Sequence, residues 1–206
     1  MSQFFYIHPD NPQPRLIKQA VEMIHQGAVI VYPTESGYAL GCHIGDKKAI
    51  ERICQIRSID KAHNFTLLCQ DLAEVAEYAR IDNLFFRLIK NNTPGAYTFV
   101  FKGTKDVPRR LLNPKRKTIG VRIPKNAIAQ ALLAELREPI MSTTLIMPGA
   151  NMAEFDPEHI RDILEKRVDL IIDGGYLGEN PTTVVDFSEG EITVLRVGEG
   201  DPTPFM

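Results

Sequence analysis

Hydroxyls and cations recur where the apolar runs of this chain end, at Thr34, Arg57, Lys61, Thr98, Arg122, Ser142, Thr143, Thr144, Thr182, Thr183 and Arg196. Guanidinium forks and hydroxyl donors hold phosphate oxygens, so the chemistry open to this set is the binding of a phosphorylated ligand. Taken singly, each residue is more often a cap, a turn residue or a surface charge, and it is their joint order that carries weight. The densest group follows the apolar run Ala28 to Val31, which reads as a strand buried on both faces and stopped by Pro33. Beyond it Tyr32, Thr34, Glu35, Ser36 and Tyr38 crowd a polar turn. Ligands of open α/β sheets bind past such strand ends, although Pro, Ser and Gly also make an ordinary β-turn.

Charge is distributed unevenly along the chain. Between Lys102 and Lys125 lie Lys105, Arg109, Arg110, Lys115, Arg116, Lys117 and Arg122, with Asp106 as the only acid. The stretch from Glu154 to Glu191 is rich in acids, so a net charge of −2 conceals a polar field. The basic segment predicts either a surface that attracts phosphates or a solvated loop charged for solubility. Other chemistries find no support. The chain has neither a Gly-x-Gly-x-x-Gly fingerprint nor a Walker-type loop. Cys42, Cys54 and Cys69 are too far apart for a Cys-x-x-Cys pair and read as free thiols. His8, His25, His43, His63 and His159 are scattered, which predicts no bound metal, and no Ser-His-Asp triad can be argued from spacing.

The elements that must position these groups alternate between helix and strand, which predicts an α/β domain whose sheet is covered by helices, and the two adjacent strands near the end predict that the sheet is mixed. Arg15 to Gln26 follows Pro14, carries Leu16, Ile17, Ala20, Val21 and Ile24 on one face and stops at Gly27. Asp46 predicts the cap of a helix through Arg57, Asp71 with Glu74 that of a helix to Ala79, and Asp82 that of a helix through Ile89. Asp156-Pro157 opens a helix to about Arg167, and another helix spans Ile128 to Leu136. Strands are expected at Phe65 to Cys69, Tyr97 to Lys102, Thr118 to Ile123, Ile140 to Thr144, Leu170 to Ile172, Thr183 to Phe187 and Ile192 to Arg196. With 206 residues, 44% hydrophobic and 24% charged, the simplest organisation is one domain over 1–206 that folds without disulfide or metal. The start, Met1-Ser2-Gln3-Phe4-Phe5, has no basic n-region, and no apolar run approaches a membrane span, so a cytoplasmic protein is expected.

The order of these motifs resembles the YrdC/YciO family, which includes the threonylcarbamoyl-AMP synthases of tRNA modification, over roughly residues 14 to 200. Val31-Tyr32-Pro33-Thr34-Glu35-Ser36-Gly37-Tyr38-Ala39-Leu40-Gly41 is similar to the family's Tyr-Pro-Thr-(Asp/Glu)-Thr-x-Tyr-Gly-Leu-Gly signature. Pro94-Gly95-Ala96-Tyr97-Thr98, Gly120-Val121-Arg122-Ile123-Pro124 and Thr182-Thr183-Val184-Val185-Asp186 resemble its Pro-Gly-Pro-x-Thr, Gly-Val-Arg-x-Pro and Ser-Thr-Val-Val-Asp motifs. Within the family the chain looks most like the YciO branch. Two departures stand out. The synthases' Lys-x-Arg is here Gln55-Ile56-Arg57, and the Asn of their Ser-Thr-Ser-Ala-Asn is here Ile146, after Ser142-Thr143-Thr144-Leu145.

The resemblance implies a twisted, open, mixed sheet flanked by helices, with a concave basic surface. It implies RNA as partner, double-stranded RNA or tRNA, and a nucleotide site for ATP with Mg2+ but no protein-bound metal. It further implies, as an alternative, a slow synthase joining L-threonine, bicarbonate and ATP into threonylcarbamoyl-AMP and pyrophosphate. On this reading Thr34 and Lys61 or His63 lie near the amino-acid or bicarbonate site. Arg57, Ser142, Thr144 and Arg196 lie near nucleotide phosphates or sugar, with Arg57 also catalytic and Arg122 a candidate for a structural role. Lys102, Lys105, Arg109, Arg110, Lys115, Arg116 and Lys117 are the expected RNA contacts.

Overall fold

The computed structural model describes residues 1–60 and 62–206. Ten strands form one mixed sheet in the order β1-β8-β2-β3-β7-β4-β6-β5-β9-β10. They are β1 (Gln3–Tyr6), β2 (Ile30–Thr34), β3 (Gly37–His43), β4 (Thr66–Leu68), β5 (Tyr97–Lys102), β6 (Thr118–Arg122), β7 (Ile140–Thr144), β8 (Leu170–Asp173), β9 (Thr183–Asp186) and β10 (Thr193–Arg196). Parallel pairs (β1 with β8, β2 with β8, β4 with β6, β5 with β9) are mixed with antiparallel ones, as the two adjacent strands at the end of the sequence lead one to expect. Among the described residues no helix is long and apolar enough to cross a membrane.

The helices start and stop for local reasons. Helix α1 (Pro14–His25) begins on its proline, turns Ile17, Ala20, Val21 and Ile24 inward, and ends before Gly27, whose φ of +90° only glycine adopts cheaply. In α2 (Lys47–Arg57) the Asp46 carboxylate accepts the Ala49 N–H at 2.9 Å. Asp71 and Asp82 cap α3 (Leu72–Tyr78) and α4 (Asn83–Asn92) in the same way, Asn126 caps α5 (Ala127–Leu136), and Asp156 caps α6 (Pro157–Leu164). Glu74 reaches back to the Gln70 N–H at 2.7 Å, one residue before the usual capping-box partner.

Two sequence expectations are corrected. Pro33 does not stop the strand; it lies inside β2, opposite Tyr38 of β3. The polar turn expected beyond Val31 narrows to Glu35 and Ser36, and Gly37, at φ +99°, opens β3. Strand β1, which pairs with β8 in parallel, was also not anticipated.

The sheet has two unlike faces. On one, Val31, Leu40, Leu67, Phe99, Phe101, Val121, Met141 and Val185 pack under residues of α2, α3, α4 and α6, including Ile53, Val75, Phe85, Ile89, Ile160 and Leu164. On the other, α1 and α5 cover Ile30, Tyr32, Ala39, Leu68, Ile140, Leu170 and Ile172, toward the β1 end of the sheet. Over the strands toward β10, that second face is left open.

Candidate functional site: a cationic cavity on the open half of the sheet

The open half changes composition where the helices stop. Along β7 the face runs from Ile140 to Ser142 and Thr144, along β4 from Leu68 to Thr66, and neighbouring strands add Thr118, Gly120 and Arg122, then Thr98 and Val100, then Val184 and Arg196. These residues, with Arg57, His63, Thr143, Ile146 and Thr182, line a cavity of about 310 Å³. Fully burying one Leu or Ile contributes about 1.5–3 kcal/mol, so a sheet face built from hydroxyls forgoes stability that its helix-covered half obtains. Gly120 keeps the floor low: a Cβ there would stand 2.9 Å from the Thr66 hydroxyl.

Of the four arginines that line this cavity, Arg57, Arg196 and Arg122 are held in different ways. Arg57, the last residue of α2, donates from Nε to the Ile146 carbonyl at 3.1 Å and from Nη1 to the Thr143 hydroxyl at 2.6 Å. Arg196 donates from Nε and Nη2 to the Thr182 carbonyl at 3.0 and 2.8 Å, and Thr182 in turn shares a 2.8 Å hydroxyl contact with Thr98. Burial lowers the pKa of both guanidiniums from the ordinary value, and for Arg196 the charge of Arg122 adds to it. An arginine in such surroundings stays charged, so both are cations held by neutral groups. Among the described residues neither forms an ion pair. Arg122 differs: it is buried and donates to the Glu35 carboxylate at 2.6 Å and to the Ser36 hydroxyl at 3.1 Å. Glu35 Oε2 and Arg122 Nε are buried without partners among the described residues.

His63 Nε2 lies 3.1 Å from the Thr143 hydroxyl, which already accepts from Arg57 and therefore has its own proton to give. Burial first, and the Arg57 charge second, push the His63 pKa down to about 4, so the ring is the neutral acceptor. At the floor, Tyr32 Oη and Ser142 Oγ are 2.6 Å apart, and burial pushes the phenol up to about 12.

The expected site residues therefore divide. Arg57, His63, Ser142, Thr144 and Arg196 come together around the cavity. Thr34 does not line it: its buried hydroxyl donates to the Gly37 carbonyl at 2.7 Å and accepts the Ser36 N–H, holding the turn that carries Glu35 and Ser36 to Arg122. Lys61 lies outside the described residues. Of the basic segment, Arg116 reaches the cavity rim and pairs with Asp186 at 2.7 Å, while Lys102 pairs with Glu189 at 2.9 Å. Lys105, Arg109, Arg110, Lys115 and Lys117 are exposed, with no carboxylate partner among the described residues. Thr66 and Thr118 were not singled out from the sequence; the available signal was their alternation with Leu68 and with Gly120 and Arg122 on one strand face.

Comparison with known proteins places this arrangement. The family model described as Telomere recombination, that of the Sua5/YciO/YrdC proteins, matches residues 22–198. The chain belongs to this family. It is 64% identical to YciO of Escherichia coli strain K12 over 206 residues, all of both chains, and superposes on the crystal structure of E. coli YciO with a TM-score of 0.96 over 100% of each. Human threonylcarbamoyl-AMP synthase is 27% identical over 190 residues, 88% of this chain and 67% of that one. The fold is also that of P. abyssi Sua5 complexed with L-threonine, with a TM-score of 0.88 at 24% identity over 96% of this chain and 58% of the other.

Of the residues that depart from the synthase motifs, Gln55 is exposed on α2, whereas Ile146 lines the cavity and offers it only an apolar side chain. The lining holds hydroxyls and cations but no carboxylate among the described residues, a donor set that does not fit Mg2+.

Proposed function

We propose that the cavity binds the phosphates of an adenine nucleotide, ATP or an adenylate, and that RNA docks along the exposed basic loop at residues 104–117. The observation that carries the first part is the pair Arg57 and Arg196, a half-buried and a more exposed cation that form no ion pair among the described residues, on the uncovered, polar part of the sheet. Phosphate oxygens would supply the counter-charge, with Ser142 and Thr144 as hydroxyl donors to phosphate or sugar. A human relative named for making threonylcarbamoyl-AMP supports an adenylate as ligand. Mg2+ would enter on the nucleotide's own phosphates. The RNA part rests on Lys105, Arg109, Arg110, Lys115 and Lys117, cations left free for phosphates.

Synthesis of threonylcarbamoyl-AMP from L-threonine, bicarbonate and ATP is the further step this site could perform, with His63 toward the amino acid and Arg57 at the reacting phosphate. Catalysis of that reaction is mostly positioning and charge compensation. A missing charged contact costs about 3 kcal/mol there, roughly a hundredfold in rate, so Gln55 and Ile146 favour binding with slow turnover.

Isothermal titration of the full chain with ATP, with and without L-threonine and bicarbonate, tests the reading. Saturable binding is expected, weakened by more than about tenfold in Arg57→Ala and in Arg196→Ala, the loss of a charged hydrogen bond. Absence of binding to the wild-type chain, or binding indifferent to both substitutions, overturns it. Pyrophosphate release above a buffer control, abolished by Arg57→Ala, would extend binding to slow synthesis.

A further inference from the structure

We propose that His25, His43 and Glu138 form a site for a divalent cation of the zinc class, separate from the phosphate cavity. The donor atoms of the three side chains all lie within 4.8 Å of one another. His25 is the last residue of α1, His43 the last of β3, and Glu138 sits in the connection from α5 to β7, so elements distant in sequence converge there. His43 Nε2 is already 2.8 Å from Glu138 Oε2, and the two imidazole centroids are 6.1 Å apart. Strand β3 starts at the hairpin of the cavity side and ends at His43, which puts about 20 Å of extended chain between the two.

The donor set selects the ion. Two imidazoles and one carboxylate suit Zn2+, and also Ni2+ or Cu2+, whereas Mg2+ and Ca2+ seek all-oxygen sites. Ligand atoms around a tetrahedral zinc stand roughly 3.3 Å apart, so the cluster has to close by rotation of side chains that are 29% exposed at His43 and 45% at Glu138. A fourth position stays open to water.

Coordination has a proton consequence that can be read directly. The Gly45 N–H donates to His43 Nδ1 at 3.1 Å, so the neutral ring carries its proton on Nε2 and gives it to Glu138. When the cation takes the Nε2 lone pair, that proton leaves to solvent and Nδ1 takes one up, with no change in the ring's charge. The Gly45 N–H then loses its acceptor and turns to water, at little cost in an exposed turn.

The test uses the full chain, free of any affinity tag and stripped with a chelator, titrated with zinc chloride. One equivalent is expected to bind, to raise the melting temperature and to shift the Gly45 amide resonance, while magnesium chloride does none of these. His25→Gln and Glu138→Gln, at partly exposed positions where a retained melting transition verifies the fold, should each weaken zinc binding by more than about tenfold and remove the Gly45 shift. No zinc binding by the wild-type chain, or equal binding by both variants with the Gly45 resonance unmoved, overturns the proposal.

Discussion

The His63 imidazole is neutral near pH 7 because burial and the Arg57 guanidinium both disfavour its cation, holding the pKa at about 4 instead of 6.5. The sign of the effect on stability follows. As pH falls through 6.5 the unfolded chain takes up a proton that the folded chain refuses until about 4, so this contribution is complete above 6.5 and is lost toward 4. Urea midpoints measured from about pH 7 to 5 should therefore fall more steeply for the wild-type chain than for His63→Asn; equal slopes would remove His63 as the source. At this scale the sequence was legible where a cation ends an expected helix or strand, as for Arg57 at the end of α2 and Arg196 at the end of β10. It was less so for Thr66 and Thr118, since a threonine in a strand is what β-propensity alone supplies. Thr34 shows the reverse case: its type and place suggested ligand contact, yet its hydroxyl is consumed by the turn that brings Glu35 to Arg122.

Helices were legible element by element because caps and apolar periodicity are local properties. Asp46, Asp71, Asp82 and Asp156 each accept backbone N–H groups where the sequence expects a helix to begin. The Asp46 cap matters to the site, since α2 runs from it to Arg57. Asp46→Ala should cost about 1 kcal/mol of unfolding free energy and Asp46→Asn much less, measured by urea denaturation near pH 7; equal losses in both would mean the carboxylate charge, not the cap geometry, is what counts. Strands were harder. The polar turn expected around Tyr32 to Tyr38 is mostly strand, and within β3 Gly41 leaves room for its neighbours, since a Cβ there would stand 2.7 Å from the Tyr32 ring and 2.8 Å from Ile140. Strand β1 is four residues long and finds its partner only in β8, a pairing that no local pattern announces. The same nonlocality hid His25, His43 and Glu138 as a cluster, although each histidine was visible as a residue.

Across the whole molecule, the segregation of charge along the sequence does not persist as two separate fields. The β9–β10 hairpin carries Asp186 and Glu189 back onto Arg116 and Lys102, so part of the acidic stretch neutralises part of the basic one. Within the basic segment, the exposed set Lys105, Arg109, Arg110, Lys115 and Lys117 forms no ion pair among the described residues. This division sharpens the RNA prediction, because an ion-paired cation must break its pair before it can release counterions from a phosphate, whereas a free one need not. Replacing Lys105, Arg109, Arg110 and Lys115 together by Gln should reduce the slope of log K against log salt by roughly 3, from about 0.7–0.9 per phosphate contact, in filter binding of duplex RNA between about 50 and 200 mM salt. The double change Lys102→Gln and Arg116→Gln should alter that slope less, although it removes half as many charges from the same segment. Wild-type affinity that does not depend on salt, or a fourfold variant with the wild-type slope, would remove RNA from this surface and leave the cavity's nucleotide reading to stand on its own titration.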